Sequence, residues 1–146
     1  MKTSKETENQ RLEQAVHHAL QYLYDPAELR KNELLILLNV RDEPSPLRRL
    51  RRILTRAIEA LKPDSSVPPN AHAWRLYRIL TYRYIERLSQ REAAGDLGLS
   101  VRQFRRDEHA AVRVLSHQLG HRYGLAPENV KAEDTRNGTR KSGTES

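Results

Sequence analysis

Apolar residues recur at helical spacing along most of the chain. Between Glu6 and Tyr24, the positions Leu12, Val16, Ala19, Leu20 and Leu23 describe an amphipathic helix that Asp25-Pro26 stops. The same pair opens a second helix: Asp25 can cap, Pro26 suits a first turn, and Glu28 supplies the matching acid, so the helix is expected to run toward Asn39. Its Leu34–Leu38 run reads alternatively as a short buried strand, but no strand partner is evident elsewhere. After Pro44-Ser45-Pro46, the stripe Leu47, Leu50, Leu54, Ala57, Ile58 and Leu61 predicts a third helix ending at Pro63.

Residues 63–70 form a proline- and serine-rich connector between an N-terminal helical part, 1–62, and a C-terminal part, 71–125. A fourth helix is expected from Asn70 to Arg87, burying Trp74, Tyr77, Thr81, Tyr84, Ile85 and Leu88 on one side, with Leu76 and Ile79 on the other. A helix apolar on two faces should be sandwiched, which makes the connector a strap and not a hinge. Residues 126–146 lack periodicity and read as a disordered tail. The expected fold is therefore all-α, with about six helices.

Composition narrows the function. The 146 residues contain no cysteine, which excludes disulfides, thiolate metal cages and cysteine catalysis and fits a reducing compartment. The polar start MKTSKETENQ has no apolar signal region, and the longest apolar run is five residues, Leu34–Leu38, so a cytoplasmic chain without membrane contact is expected. The net charge of +7 is uneven: residues 26–62 carry +4 and residues 71–125 carry +5. Such concentration implies a polyanionic partner. On the third helix Arg48, Arg49, Arg52 and Arg56 line one side, with Arg51 nearby, suited to phosphate contact or to an acidic protein surface.

The informative segment is Leu88 to Arg106, LSQREAAGDLGLSVRQFRR. Ser89 and Glu92 spell a capping box, Gly98 supplies a left-handed helix end, and Ser100 caps the next helix. Ala94 sits where two crossing helices approach most closely, and Leu97, Leu99 and Phe104 supply a shared core. These offsets give a helix-turn-helix, whose second helix lies in the DNA major groove. From about Trp74 to Leu119 the chain resembles the last helix-turn-helix region of bacterial sigma factors and the response-regulator effector domains built on it. An Arg-rich helix and proline-rich connector ahead of such a segment are also similar to N-terminal modules of bacterial signalling proteins.

The resemblance implies sequence-specific binding of double-stranded DNA in transcription regulation, with RNA polymerase or a signalling protein as a further partner; no enzymatic activity and no cofactor are expected. It places base reading on Arg102, Gln103, Arg105 and Arg106. A helical wheel independently sets Val101, Phe104, Ala111, Leu115 and Leu119 on one face and Arg102, Arg106, His109 and Arg113 opposite. Arginine can bond guanine O6 and N7, and glutamine adenine N6 and N7, so His109 joins the base-reading set and Arg113 the phosphate set. Gln90 and Arg91 open the preceding helix, where phosphate contacts position a duplex. The alternative is a protein-interaction module built on the same scaffold.

Glu108 departs from the family pattern, since it falls on the wheel's core face where an apolar residue is usual. A buried carboxylate requires partners, and Arg78, Arg83, Tyr77, Tyr82 and Tyr84 are the candidates, which makes Glu108 a structural pin. Asp107 beside the DNA face opposes phosphate binding. His117 and His121 have metal-ligand spacing but lack the accompanying Glu, and His17 and His18 point to different sides, so no metal site is expected. Phosphate-binding glycine loops and a nucleophile elbow are absent from the sequence.

Overall fold

The computed structural model describes residues 4–125, and among them every regular element is helical: α1 (Ser4–Gln21), α2 (Pro26–Leu29), α3 (Leu34–Leu37), α4 (Pro46–Ala60), α5 (His72–Leu80), α6 (Gln90–Leu97) and α7 (Val101–Arg122). The protein is all-α. The tail expected at 126–146 lies outside the described residues. No helix among those described is long and apolar enough to cross a membrane.

Helix α1 buries Leu12, Ala15, Val16, Ala19 and Leu20, as its spacing requires. Asp25 then accepts a hydrogen bond from the Glu28 amide at 3.3 Å and starts α2. The single helix expected from there to Asn39 is instead two short ones. Buried Asn32 breaks it: its Oδ1 accepts from the Leu34 amide at 2.8 Å, while its Nδ2 donates to the Ala15 carbonyl at 2.9 Å. An asparagine amide that satisfies the backbone locally and docks onto α1 competes with continued helix. Asn39, with φ of 58°, ends α3 in the left-handed region.

Helix α4 turns Leu50, Ile53, Leu54, Ala57 and Ile58 inward and packs against α3, α5 and α7. The connector is tied down where Trp74 Nε1 donates to the Val67 carbonyl at 3.1 Å and Arg78 Nη1 to the Pro69 carbonyl at 3.2 Å. The Arg78 guanidinium also stacks over the Trp74 ring, 5.3 Å from its centroid. Along α5 and the residues that follow it, Ile79, Leu80 and Tyr84 are buried, while Trp74, Leu76, Tyr77, Thr81, Ile85 and Leu88 are half-buried. Ile79 and Tyr84 come from the two expected faces, and Leu80, assigned to neither, is buried as well, because a sandwiched helix buries its flanks.

Helix α5 widens into a π-helical segment, Thr81–Ile85, closed by Glu86 N to Thr81 O at 2.8 Å. The wide turn carries the neighbouring side chains of Arg83 and Tyr84 to one carboxyl group on α7. Helix α7 packs against α1, α4, α5 and α6, and one apolar cluster runs from Leu12 to Leu119 through both sides of the connector.

Candidate nucleic-acid interface

Local sequence fixes the join between α6 and α7. Ser89 Oγ accepts from the Glu92 amide at 3.1 Å, and the Glu92 carboxylate accepts from the Ser89 amide at 2.9 Å. The bonds from Ser89 hold the Glu92 carboxyl below its ordinary range. Gly98 stands at φ 68°, a conformation that costs a side-chain-bearing residue strain, and the Leu99 amide closes onto the Ala94 carbonyl at 2.9 Å. Ser100 Oγ then accepts from the Gln103 amide at 3.1 Å and starts α7. Ala93, Ala94 and Phe104 are buried where the two helices meet.

A polar knot sets the rotation of α7. Glu108, only 4% exposed, accepts from Arg83 Nε at 3.1 Å, from the Tyr84 hydroxyl in a short bond, and from Gln90 Nε2 at 2.8 Å. Gln90 Oε1 in turn accepts from Arg105 Nε at 3.1 Å, and Arg83 Nη1 donates to the Leu88 carbonyl at 2.9 Å. Burial, reinforced by the adjacent carboxyl, pushes the Tyr84 hydroxyl pKa upward, so the group stays a donor. Of the expected partners, Arg83 and Tyr84 reach Glu108. Arg78 is engaged with the connector instead.

The predicted contact residues separate into groups. Arg102 and Arg106 are exposed on the first turns of α7, with Gln103 half-buried beside them. Arg105, His109 and Arg113 line a groove of about 420 Å³ between α7 and α1. There Arg113 Nε lies 3.4 Å from Glu13, and His17 on α1 faces the same space. The pairing of residue 13 with 113 and the shared lining by His17 and His109 make α1 and α7 antiparallel. Beyond Arg113, Ser116 and Gly120 are buried, while Val114, His117 and His121 are exposed. The exposed cations Arg102, Arg105 and Arg106 lie on the N-terminal part of α7.

Gln90, expected at phosphate, spends both ends of its amide inside the protein, because Glu108 needs a third donor. Arg91 is exposed at the start of α6. Asp107 is paired with Arg75 at 3.3 Å, which offsets its charge beside the basic face. On α4, Arg48, Arg52 and Arg56 are exposed, whereas Arg49 is half-buried 3.6 Å from Glu43. His117 and His121 stand with Nε2 atoms 3.1 Å apart, and the described residues hold no group of three metal-ligating side chains.

Sequence reasoning missed the covering of α7 by α1 and the inward use of Gln90. The second had a signal: a carboxyl on an apolar face demands donors, and Gln90 opens the helix that crosses beside it. The first had none, since the packing of one amphipathic helix on another leaves no mark in either alone. No protein-family model, curated protein or solved structure matches the chain, so the reading of this face rests on its own residues and geometry.

Proposed function

We propose that the chain binds double-stranded DNA sequence-specifically, with α6, the Gly98 turn and α7 acting as a helix-turn-helix in transcription regulation. The observation that carries this reading is the exposure of Arg102 and Arg106 on the first turns of a helix whose start is capped by Ser100 and whose rotation is set by Glu108. Guanidinium groups in that position can bond guanine edges bidentately. Arg91 at the start of α6 suits a phosphate. The likeness of residues 88–106 to the last helix-turn-helix of sigma factors supports the same reading.

The test is selection of bound duplexes from random sequence with the full chain, followed by Arg102→Ala and Arg106→Ala. Each variant should lose about 1–3 kcal/mol of affinity for the selected site while its circular dichroism stays helical. Affinity should also fall steeply with salt. If both variants bind the selected site as wild type does, the assignment of α7 fails.

A further inference from the structure

A groove lies on the side of the molecule built by the α2–α3 turn and the start of α4. It has a volume of about 750 Å³ and takes no lining residue from α6 or α7. Its floor is apolar, with Leu35, Ile36 and Leu47, and Ile36 is 61% exposed. That exposure follows from the break at Asn32: a short α3 sends Leu34, Leu35 and Leu38 to the core and leaves Ile36 outside. The rim is cationic. Arg30, Arg41, Arg48 and Arg51 line it, and none of them has an acidic partner among the described residues. The one lining carboxylate, Glu33, is already held by Arg11 at 2.7 Å.

We infer that this groove docks an acidic amphipathic segment of a partner protein, with apolar side chains against Ile36 and Leu47 and carboxylates against the four arginines. An apolar floor ringed by unpaired cations is complementary to that pattern. A duplex backbone brings phosphates for the rim but nothing apolar for Ile36, and the lining contains no aromatic ring on which a base could stack. Residues 126–146 of the chain itself carry as many cations as carboxylates, and their only large apolar residue is Val130, so they lack the required character. The inference is independent of DNA binding, because the two surfaces share no residue.

The experiment uses the full chain and three fluorescein-labelled probes: a helical peptide with leucines on one face and glutamates elsewhere, a scrambled peptide of the same composition, and a nonspecific duplex DNA. The amphipathic peptide should bind more tightly than the scrambled one. Arg41→Ala with Arg51→Ala should weaken it about tenfold, as expected for two charge pairs at a partly covered rim. Ile36→Ser should weaken it by a similar factor through lost apolar contact, with the melting temperature unchanged because the side chain is exposed. Equal binding of the scrambled peptide, or variants that bind as wild type, would overturn the proposal. So would competition by the duplex for the same arginines, which would return them to nucleic acid. Concentration-dependent dimerisation lost in Ile36→Ser would overturn it in favour of a second copy of the chain.

Discussion

Helix α4 meets the core through hydrocarbon alone, its buried residues being Leu50, Ile53, Leu54, Ala57 and Ile58, whereas α7 buries Glu108 among Phe104, Ala111, Val112 and Leu115. Both helices turn arginines outward. On α4 Arg48, Arg52 and Arg56 have no acidic partner among the described residues. On α7 Arg105 is bonded to Gln90, Arg113 is paired with Glu13, and Asp107 is anchored by Arg75. Apolar packing is non-directional and sets depth more than rotation, while a carboxyl that accepts from Arg83, Tyr84 and Gln90 permits one rotation of the helix that carries it. Helix α7 therefore has a fixed aim; α4 offers a cationic surface of looser specification.

The largest effects should come from what the two helices share. Leu54→Ala and Phe104→Ala each empty a fully buried site in the same apolar cluster and should cost about 2–5 kcal/mol. Urea unfolding followed by circular dichroism and by Trp74 fluorescence should give one coincident transition for each variant. Two separated transitions would show that α4 and α7 belong to independent units.

Next in size is the knot that only α7 possesses. Arg83→Met strands the buried Glu108 carboxyl without its cation and should cost about 2–4 kcal/mol, less than a fully enclosed pair because Arg83 keeps some solvent contact and two donors remain. Adding Glu108→Leu should recover part of that loss, since an apolar pair replaces an orphaned charge. The double variant is the informative one: stability regained with selectivity for the chosen DNA site lost would show that the knot sets aim. Wild-type selectivity in the double variant would show that hydrocarbon packing suffices for α7 as it does for α4.

The same contrast explains what was legible in the sequence. Helix ends written in local chemistry, the Ser89–Glu92 box, Gly98 and Ser100, could be read residue by residue because each bond lies within a few positions along the chain. The need of Glu108 for partners was legible too, but Gln90, one of those it found, was assigned to phosphate. The break between Pro26 and Asn39 leaves no local mark, because it depends on Asn32 bonding the Ala15 carbonyl, a contact seventeen residues away that no local pattern encodes. Likewise, nothing in α1 or α7 alone announces that the two pack together, with Arg113 paired to Glu13.

A smaller effect isolates the turn that aims α7. Gly98→Val should cost about 1–2 kcal/mol from the left-handed backbone alone, because a Cβ at this position would meet nothing within 4 Å. Gly98→Asn should cost less, asparagine being tolerant of that region. Thermal melts of the two variants decide it. An unchanged melting temperature for Gly98→Val would mean that the turn relaxes freely and does not constrain α7.

The smallest effect is one that α4 cannot show, since its buried face contains no titratable group. His17 on α1 is half-buried against α7, and burial lowers its pKa below 6.5; Glu108 opposes the shift, while His109, Arg83 and His18 add to it. A folded-state pKa below the unfolded one means that the unfolded chain takes the proton first on acidification. Stability contributed at this site is therefore complete above pH 6.5 and falls as pH drops from there through the folded-state pKa. Replacing His17 with glutamine removes the proton-binding group. Melting temperatures measured between about pH 8 and 5 should accordingly decline less for His17→Gln than for wild type, other titrations being common to both. Leu54→Ala, in contrast, should lower the melting temperature by the same amount at either end of that range. A wild-type decline retained in full by His17→Gln would place the pH sensitivity elsewhere and leave the α1–α7 contact as indifferent to protons as α4.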